Sequence, residues 1–184
     1  MQRPRNTKAL LIVLAGALAV RMTSRLLQPR RLDGECIFIT GGSRGLGLAI
    51  ARECARRGAS VVICGRDGER LERAAATLRE QGAAVLPIAC DVRDAAQIQQ
   101  AIAQASARFG RLDALINNAG TISVGPMDTM TSADYEDALQ THFWAMYHAV
   151  EAARTAFTKE RRGRIVNITS IGGKISVPHL LPYC

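Results

Sequence analysis

From Cys36 onward, short runs of β-branched and apolar residues alternate with helix-length segments whose apolar positions recur every three or four residues. The runs predict strands at Cys36–Thr40, Ser60–Cys64, Ala84–Ala89, Leu112–Ile116 and Arg164–Thr169. The intervening segments predict helices over Leu46–Arg57, Gly68–Gln81, Asp94–Phe109 and Ser132–Thr158. Strand and helix in strict alternation define an α/β fold, in which a parallel sheet is covered on both faces. Thr131, followed three residues later by Asp134, gives a capping-box-like start to the last helix, and Gly163 marks a turn after it. Neither an internal repeat nor a low-complexity segment interrupts this pattern beyond a basic tail.

The 184 residues, 48% apolar and 22% charged, suit one domain with a sizeable core. Residues 1–31 form a separate segment. Within it Ala9–Val20 is an unbroken run of small and apolar residues, with Arg3, Arg5 and Lys8 before it and Arg21, Arg25, Arg30 and Arg31 after it. Twelve helical residues reach about 18 Å, short of the ~30 Å hydrocarbon core. Extension to Leu27 spans only if Arg21 snorkels toward the headgroups. The run therefore suits a membrane anchor or interfacial helix through residues 9–27, an amphipathic helix lying on the domain, or a secretory signal with Ala17-Leu18-Ala19 as its cleavage site. The positive charge after it favours a domain kept in the cytoplasm or on the cytoplasmic side of a membrane.

This segment also explains the formal charge of +8: residues 1–32 hold seven basic side chains and no acidic one, leaving 17 basic against 16 acidic in the remainder. A basic stripe over the fold is therefore missing, which argues against a nucleic-acid partner. The five cysteines, Cys36, Cys54, Cys64, Cys90 and Cys184, form no CxxC pair. Four lie in or beside apolar runs and are expected to be buried as small hydrophobes, with no metal site and no disulfide framework.

The first strand runs directly into Thr40-Gly41-Gly42-Ser43-Arg44-Gly45-Leu46-Gly47 and then into a helix. In that context one glycine permits the tight bend, another lets backbone amides approach a pyrophosphate, and a third lets helix and strand pack closely. No Gly-Lys-Ser/Thr follows, which excludes a nucleoside-triphosphate loop. Where an NAD site would place a carboxylate at the end of the second strand, Gly65 and Arg66 stand instead. A guanidinium there, helped by Arg44, suits the 2′-phosphate of NADP and makes NAD less suitable.

These residues resemble the short-chain dehydrogenase/reductase family over Arg31 to Cys184. The resemblance is carried by TGGSRGLG (Thr40 to Gly47), DV (Asp91-Val92), NNAG (Asn117 to Gly120) and IVNITS (Ile165 to Ser170). It implies a Rossmann-type doubly wound sheet, incomplete after the fifth strand, with residues 32–184 as a partial dinucleotide-binding domain. It further implies that the cofactor is held by Thr40, Gly41, Ser43, Arg44, Gly45, Leu46 and Gly47, by Arg66, by Asp91 and Val92, by Asn118, Ala119 and Gly120, and by Ile168 or Thr169 near the nicotinamide. In the family a Ser and a Tyr thirteen residues apart flank the substrate carbonyl, and Ser170 and Tyr183 have that spacing. Tyr183 is then the acid/base and Ser170 a donor to the substrate oxygen, for an NADP-dependent interconversion of an alcohol and a carbonyl.

Two features depart from the family pattern. The family's lysine, which supports the tyrosine's phenolate, would fall at residue 187, past Cys184, so the chain is expected to be a C-terminally truncated, inactive piece of a longer enzyme. A naturally short, non-catalytic NADP-binding or interaction protein is the alternative. His142 stands where the family usually places a water-ordering Asn, and is expected either to relay protons in its stead or to pack beside Phe143 and Trp144. The implied partner is a small alcohol or carbonyl, mildly favoured as lipophilic by the apolar tail, and the full-length form is expected to be a homo-oligomer.

Overall fold

The structure, a computed structural model, describes residues 30–160, 162–175 and 177–184. The chain divides into two units, Met1–Arg31 and Leu32–Cys184, and the architecture below is that of the second. The apolar run 9–27, with every reading of it as anchor, surface helix or signal, lies outside the described residues. Among those residues no helix is long and apolar enough to cross a membrane.

Five strands, β1 (Cys36–Thr40), β2 (Ser60–Gly65), β3 (Val85–Ala89), β4 (Ala114–Asn117) and β5 (Arg164–Asn167), form one sheet in the order β3-β2-β1-β4-β5. Every neighbouring pair is parallel. The helices are α1 (Gly45–Arg56), α2 (Gly68–Glu80), α3 (Ala95–Phe109), α4 (Ser132–Leu139) and α5 (Ala145–Glu160). Strand alternation sorts them onto the two faces. Ile37, Ile39, Val61 and Ile63 point to one side and pack with Ala51 and Cys54 of α1 and Leu71, Ala75 and Leu78 of α2. Phe38, Val62, Cys64 and Ile88 point to the other and pack with Ile98, Ala101 and Ile102 of α3 and Ala149 and Ala153 of α5. Central strands covered on both sides cannot alternate apolar with polar, which is why β1 and β2 read as continuous apolar runs. At the outer edge Ile165 and Val166 of β5 are exposed.

The predicted elements are present with shifts of one or two residues at their ends, except that the helix expected over Ser132–Thr158 is divided. A π-turn at Gln140–Trp144 separates α4 from α5. The capping box of Thr131 and Asp134 does start α4: the Thr131 amide donates to Asp134 Oδ2 at 2.8 Å. Asp67 and Asp94 cap α2 and α3 the other way round, their own side chains accepting from the Arg70 amide and from those of Ala96 and Gln97. Cys36, Cys54, Cys64 and Cys90 are buried free thiols, and Cys184 is exposed. Burial first, and the Asp113 carboxylate second, push the Cys36 thiol up to about 12, so it stays protonated.

At the end of the sheet remote from the glycine turn, Asp113 joins three strands. Its carboxylate, 5% exposed, accepts from the Cys36 amide at 2.8 Å and from Arg111 at 2.7 and 2.6 Å. Its backbone bonds the Cys36 carbonyl and the Arg164 amide. Burial alone would raise this carboxyl's pKa, but the Arg111 guanidinium and the Cys36 amide outweigh it and hold it below the usual range. A lowered native pKa means stability that is present above about pH 4 and lost as pH falls through the native value. Asp113→Asn should therefore cost about 2–3 kcal/mol near neutrality. Thermal melts between neutral and acid pH should show the gap to wild type closing on acidification; a gap independent of pH would count against this role.

Candidate active site

The cleft forms at the carboxyl ends of the strands, where α1 leaves the sheet to one side and the chain after β4 to the other. Two cavities, of about 400 and 500 Å³, meet there and share Leu46, Val92, Asn118 to Thr121 and Thr141. Their junction is built by Thr40, 3% exposed at the end of β1. Its hydroxyl accepts from the Asn118 amide at 2.9 Å and the Ala119 amide at 3.0 Å. The Asn118 side chain returns the bond, its Nδ2 donating to the carbonyls of Thr40 at 3.0 Å and Gly41 at 3.3 Å. The Gly42 amide ties the same turn to β2 through the Cys64 carbonyl at 3.1 Å.

That contact is close enough to exclude a side chain at two positions. A Cβ on Gly47 would stand 2.3 Å from the Gly41 carbonyl oxygen and 2.5 Å from Asn118 Nδ2. Gly41, at φ +67°, would place one 2.9 Å from the Ala119 Cα. Arg44, at the N-cap of α1, supplies no side-chain cap, and no acidic residue lies in that helix's first turn. In contrast to α2 and α3, the first amides of α1 are left to accept an anion, with the positive end of the helix dipole behind them.

The smaller cavity is lined by this turn, by Arg66, Asp67 and Arg70 after β2, and by Cys90, Asp91 and Arg93 after β3. Arg44 and Arg66 make no ion pair among the described residues. Arg93, by contrast, is bound to Asp91 and to Asp137 of α4, at 2.7 and 2.6 Å. Its guanidinium is the main reason that the Asp91 carboxyl titrates below its ordinary value.

The larger cavity holds Ser170, Tyr183, His142, Ile168 and Thr40. Ser170 ends the extended segment after β5. Its Oγ accepts from the Gly172 amide at 3.2 Å, so the hydroxyl proton is free to point into the cavity. Tyr183 sits in a 3₁₀ turn (Leu181–Tyr183), with its ring over Gly172, where a Cβ would stand 3.4 Å from Cε1. His142 lies in the π-turn, and its Nε2 is 2.8 Å from the Thr121 carbonyl oxygen. A carbonyl only accepts, so Nε2 carries a proton and donates, and in the neutral ring Nδ1 is left as an acceptor. The imidazole meets the Tyr183 ring edge to face, with centroids 5.3 Å apart. Trp144 instead stacks on His148 at 6.1 Å, so His142 is not part of the aromatic cluster that follows it.

Every residue singled out from the sequence for the cofactor or for catalysis lines one of these cavities. Residues missed there include Arg70, Arg93, Asp137, Thr121 and Thr141. A signal existed for Arg93, a cation between Asp91 and Asp94, and for Asp137, one helical turn before Thr141. The Thr121 contribution is a backbone carbonyl and leaves no mark in residue type.

An extended polar cavity at a switch point, glycines that admit no Cβ, uncapped helix amides and nearby arginines fit a dinucleotide: Gly41 to Gly47 would hold its pyrophosphate and Asn118 to Gly120 the junction between its halves. Fold and cleft together define a Rossmann-type α/β domain whose cavity suits a dinucleotide. The chain belongs to the short-chain dehydrogenase family, whose sequence profile, described as short chain dehydrogenase, matches residues 35–184. It is 36% identical over 154 residues to 2-(S)-hydroxypropyl-CoM dehydrogenase 3 of Xanthobacter autotrophicus, covering 84% of this chain and 60% of that one. Among solved structures, a metagenomic short-chain oxidoreductase in complex with NADP matches at TM-score 0.77 and 35% identity, over 83% of this chain and 69% of that one. NAD⁺-bound xylitol dehydrogenase matches at TM-score 0.80 and 28% identity, over 84% and 60%. The chain spans 53–60% of the length of the curated relatives it matches.

The glycine contacts are directly testable. Gly47→Ala should weaken dinucleotide binding by about tenfold or more and lower Tm, because backbone atoms must move to admit the methyl. Gly68→Ala, where the nearest atom is 3.9 Å away, should leave both unchanged or raise Tm slightly. Calorimetric titration and thermal melts of the two variants distinguish this cradle from a turn that merely tolerates glycine.

Proposed function

We propose that residues 32–184 form the cofactor-binding and proton-transfer part of an NADP-dependent oxidoreductase that interconverts an alcohol and a carbonyl. The observation that carries this reading is that Ser170, Tyr183 and His142 line one end of a cleft whose other end holds Arg44, Arg66 and the uncapped first turn of α1. When bound, the nicotinamide supplies or accepts the hydride at the substrate carbon. Ser170, its oxygen already accepting from Gly172, donates its proton to the substrate oxygen and fixes the carbonyl. The Tyr183 hydroxyl delivers the proton to that oxygen in reduction and removes it in oxidation. His142, with Nε2–H committed to Thr121, keeps Nδ1 for water and relays protons between Tyr183 and solvent.

The preference for NADP rests on two cavity-lining arginines that make no ion pair among the described residues, which match a 2′-phosphate by charge-assisted hydrogen bonds. Among the described residues no charged side chain lines the cavity around Tyr183, which favours an uncharged, lipophilic substrate. It also places no cation beside the Tyr183 hydroxyl among the described residues.

Arg66→Ser should lower affinity for NADPH by about tenfold or more while leaving that for NADH within about twofold. Parallel fluorescence titrations with the two nucleotides test this, and equal losses for both would remove the NADP assignment. Residues 1–184 alone should reduce a panel of uncharged ketones no faster than background. In a form that places a lysine one helical turn after Tyr183, Tyr183→Phe should lower kcat by about 10²–10⁴ with NADPH affinity unchanged. A loss of only a few-fold would take the acid/base role from Tyr183.

A further inference from the structure

We propose that Arg93 is a positioning residue which couples occupancy of the nucleotide cavity to the placement of the turn carrying Thr141 and His142. The inference rests on the dinucleotide reading of the cleft. Unlike Arg44 and Arg66, Arg93 is neutralised where it stands. Its Nε lies 3.1 Å from each Asp91 carboxylate oxygen, its Nη2 lies 2.7 Å from Oδ2, and its Nη1 donates to Asp137 Oδ1 at 2.6 Å. A guanidinium shared by two carboxylates is a poor phosphate anchor and a good bridge.

The two ends of the bridge differ in how firmly they are held. The Asp91 amide donates to Gln97 Oε1 at 2.9 Å, and Gln97 Nε2 donates to Asp94 Oδ2 at 2.9 Å, so Asp91 is fixed to the capped start of α3. Asp137 stands on α4, which buries only Ala138 among its own residues and is not anchored by a broad apolar face. One helical turn past Asp137, Thr141 lines both cavities, and His142 follows directly. Arg93 therefore ties a lightly anchored helix, and the π-turn it runs into, to the firmly held nucleotide side.

Isolated pairs as exposed as this one are weak, with Arg93 and Asp137 each 37% exposed. A bound nucleotide would lie along the bridge, exclude water from it and strengthen it. Binding at one end of the cleft then steadies the other, and by reciprocity a contact at the His142 end tightens the nucleotide.

The test uses residues 1–184 with NADPH and with 2′,5′-ADP, which occupies only the nucleotide cavity. In the wild type, saturating NADPH should slow amide hydrogen exchange across residues 139–146. Arg93→Met should abolish that slowing and weaken NADPH about fivefold more than it weakens 2′,5′-ADP. Asp137→Asn, which leaves the Arg93–Asp91 pair in place, should act in the same direction, and the double variant should add little. Asp137→Asn decides the matter if Arg93→Met does not fold. Equal weakening of both ligands, or protection of 139–146 that survives both substitutions, overturns the coupling while leaving the dinucleotide reading intact. A wild type that binds neither ligand overturns that reading, and the coupling with it.

Discussion

The hydroxyl of Thr40 and the amide side chain of Asn118 hold the carboxyl ends of β1 and β4 against each other, and the cleft depends on that contact. Both strands must stop in register there for α1 and the chain after β4 to diverge to opposite sides of the sheet. The gap that opens between them is where the two cavities meet. The same contact leaves no room for a Cβ on Gly41 or Gly47. A threonine and two glycines of one turn, with an asparagine 78 residues after that threonine, therefore form one device, and each residue type is set by the others.

The cleft divides its chemistry by polarity. The nucleotide end collects arginines and aspartates around backbone amides, an environment suited to phosphate and ribose. The end around Tyr183 presents hydroxyls, amides and one imidazole among apolar side chains, with no charge of its own among the described residues. Where no charge is at hand to steer a proton, small displacements of a donor matter. The bonds from Gly172 to Ser170 and from His142 to Thr121 are consistent with that requirement, since each fixes where a proton can point.

Much of this architecture could be read from residue order. Cys36–Ile39 and Val61–Cys64 are apolar throughout because they are covered on both faces, and β-branched runs of that length have few other uses. The glycine turn could be recognised because strand, glycines and helix follow one another without interruption. Other features could not be read in this way. A π-turn of five residues within a long amphipathic segment barely changes its apolar spacing, so Ser132 to Thr158 reads as one helix. The Arg93–Asp137 contact joins positions 44 residues apart, and neither residue type announces the other. The partner of His142 is a main-chain carbonyl at Thr121, which any residue could supply, so its proton position follows from the fold alone.

The π-turn also carries a consequence for how this region can vary. Each residue in a helix advances the azimuth by about 100°, so the number of residues between α4 and α5 sets the rotational phase of everything downstream. With this count, Ala145, Ala149 and Ala153 face the sheet, while Phe143, Trp144 and Tyr147 face outward. Substitution within Gln140–Trp144 changes one side chain, whereas a one-residue change in its length turns the whole of α5 by about 100° about its axis and carries its inner face away from the sheet. The spacing of this segment is thus as much a part of the site as the imidazole it carries.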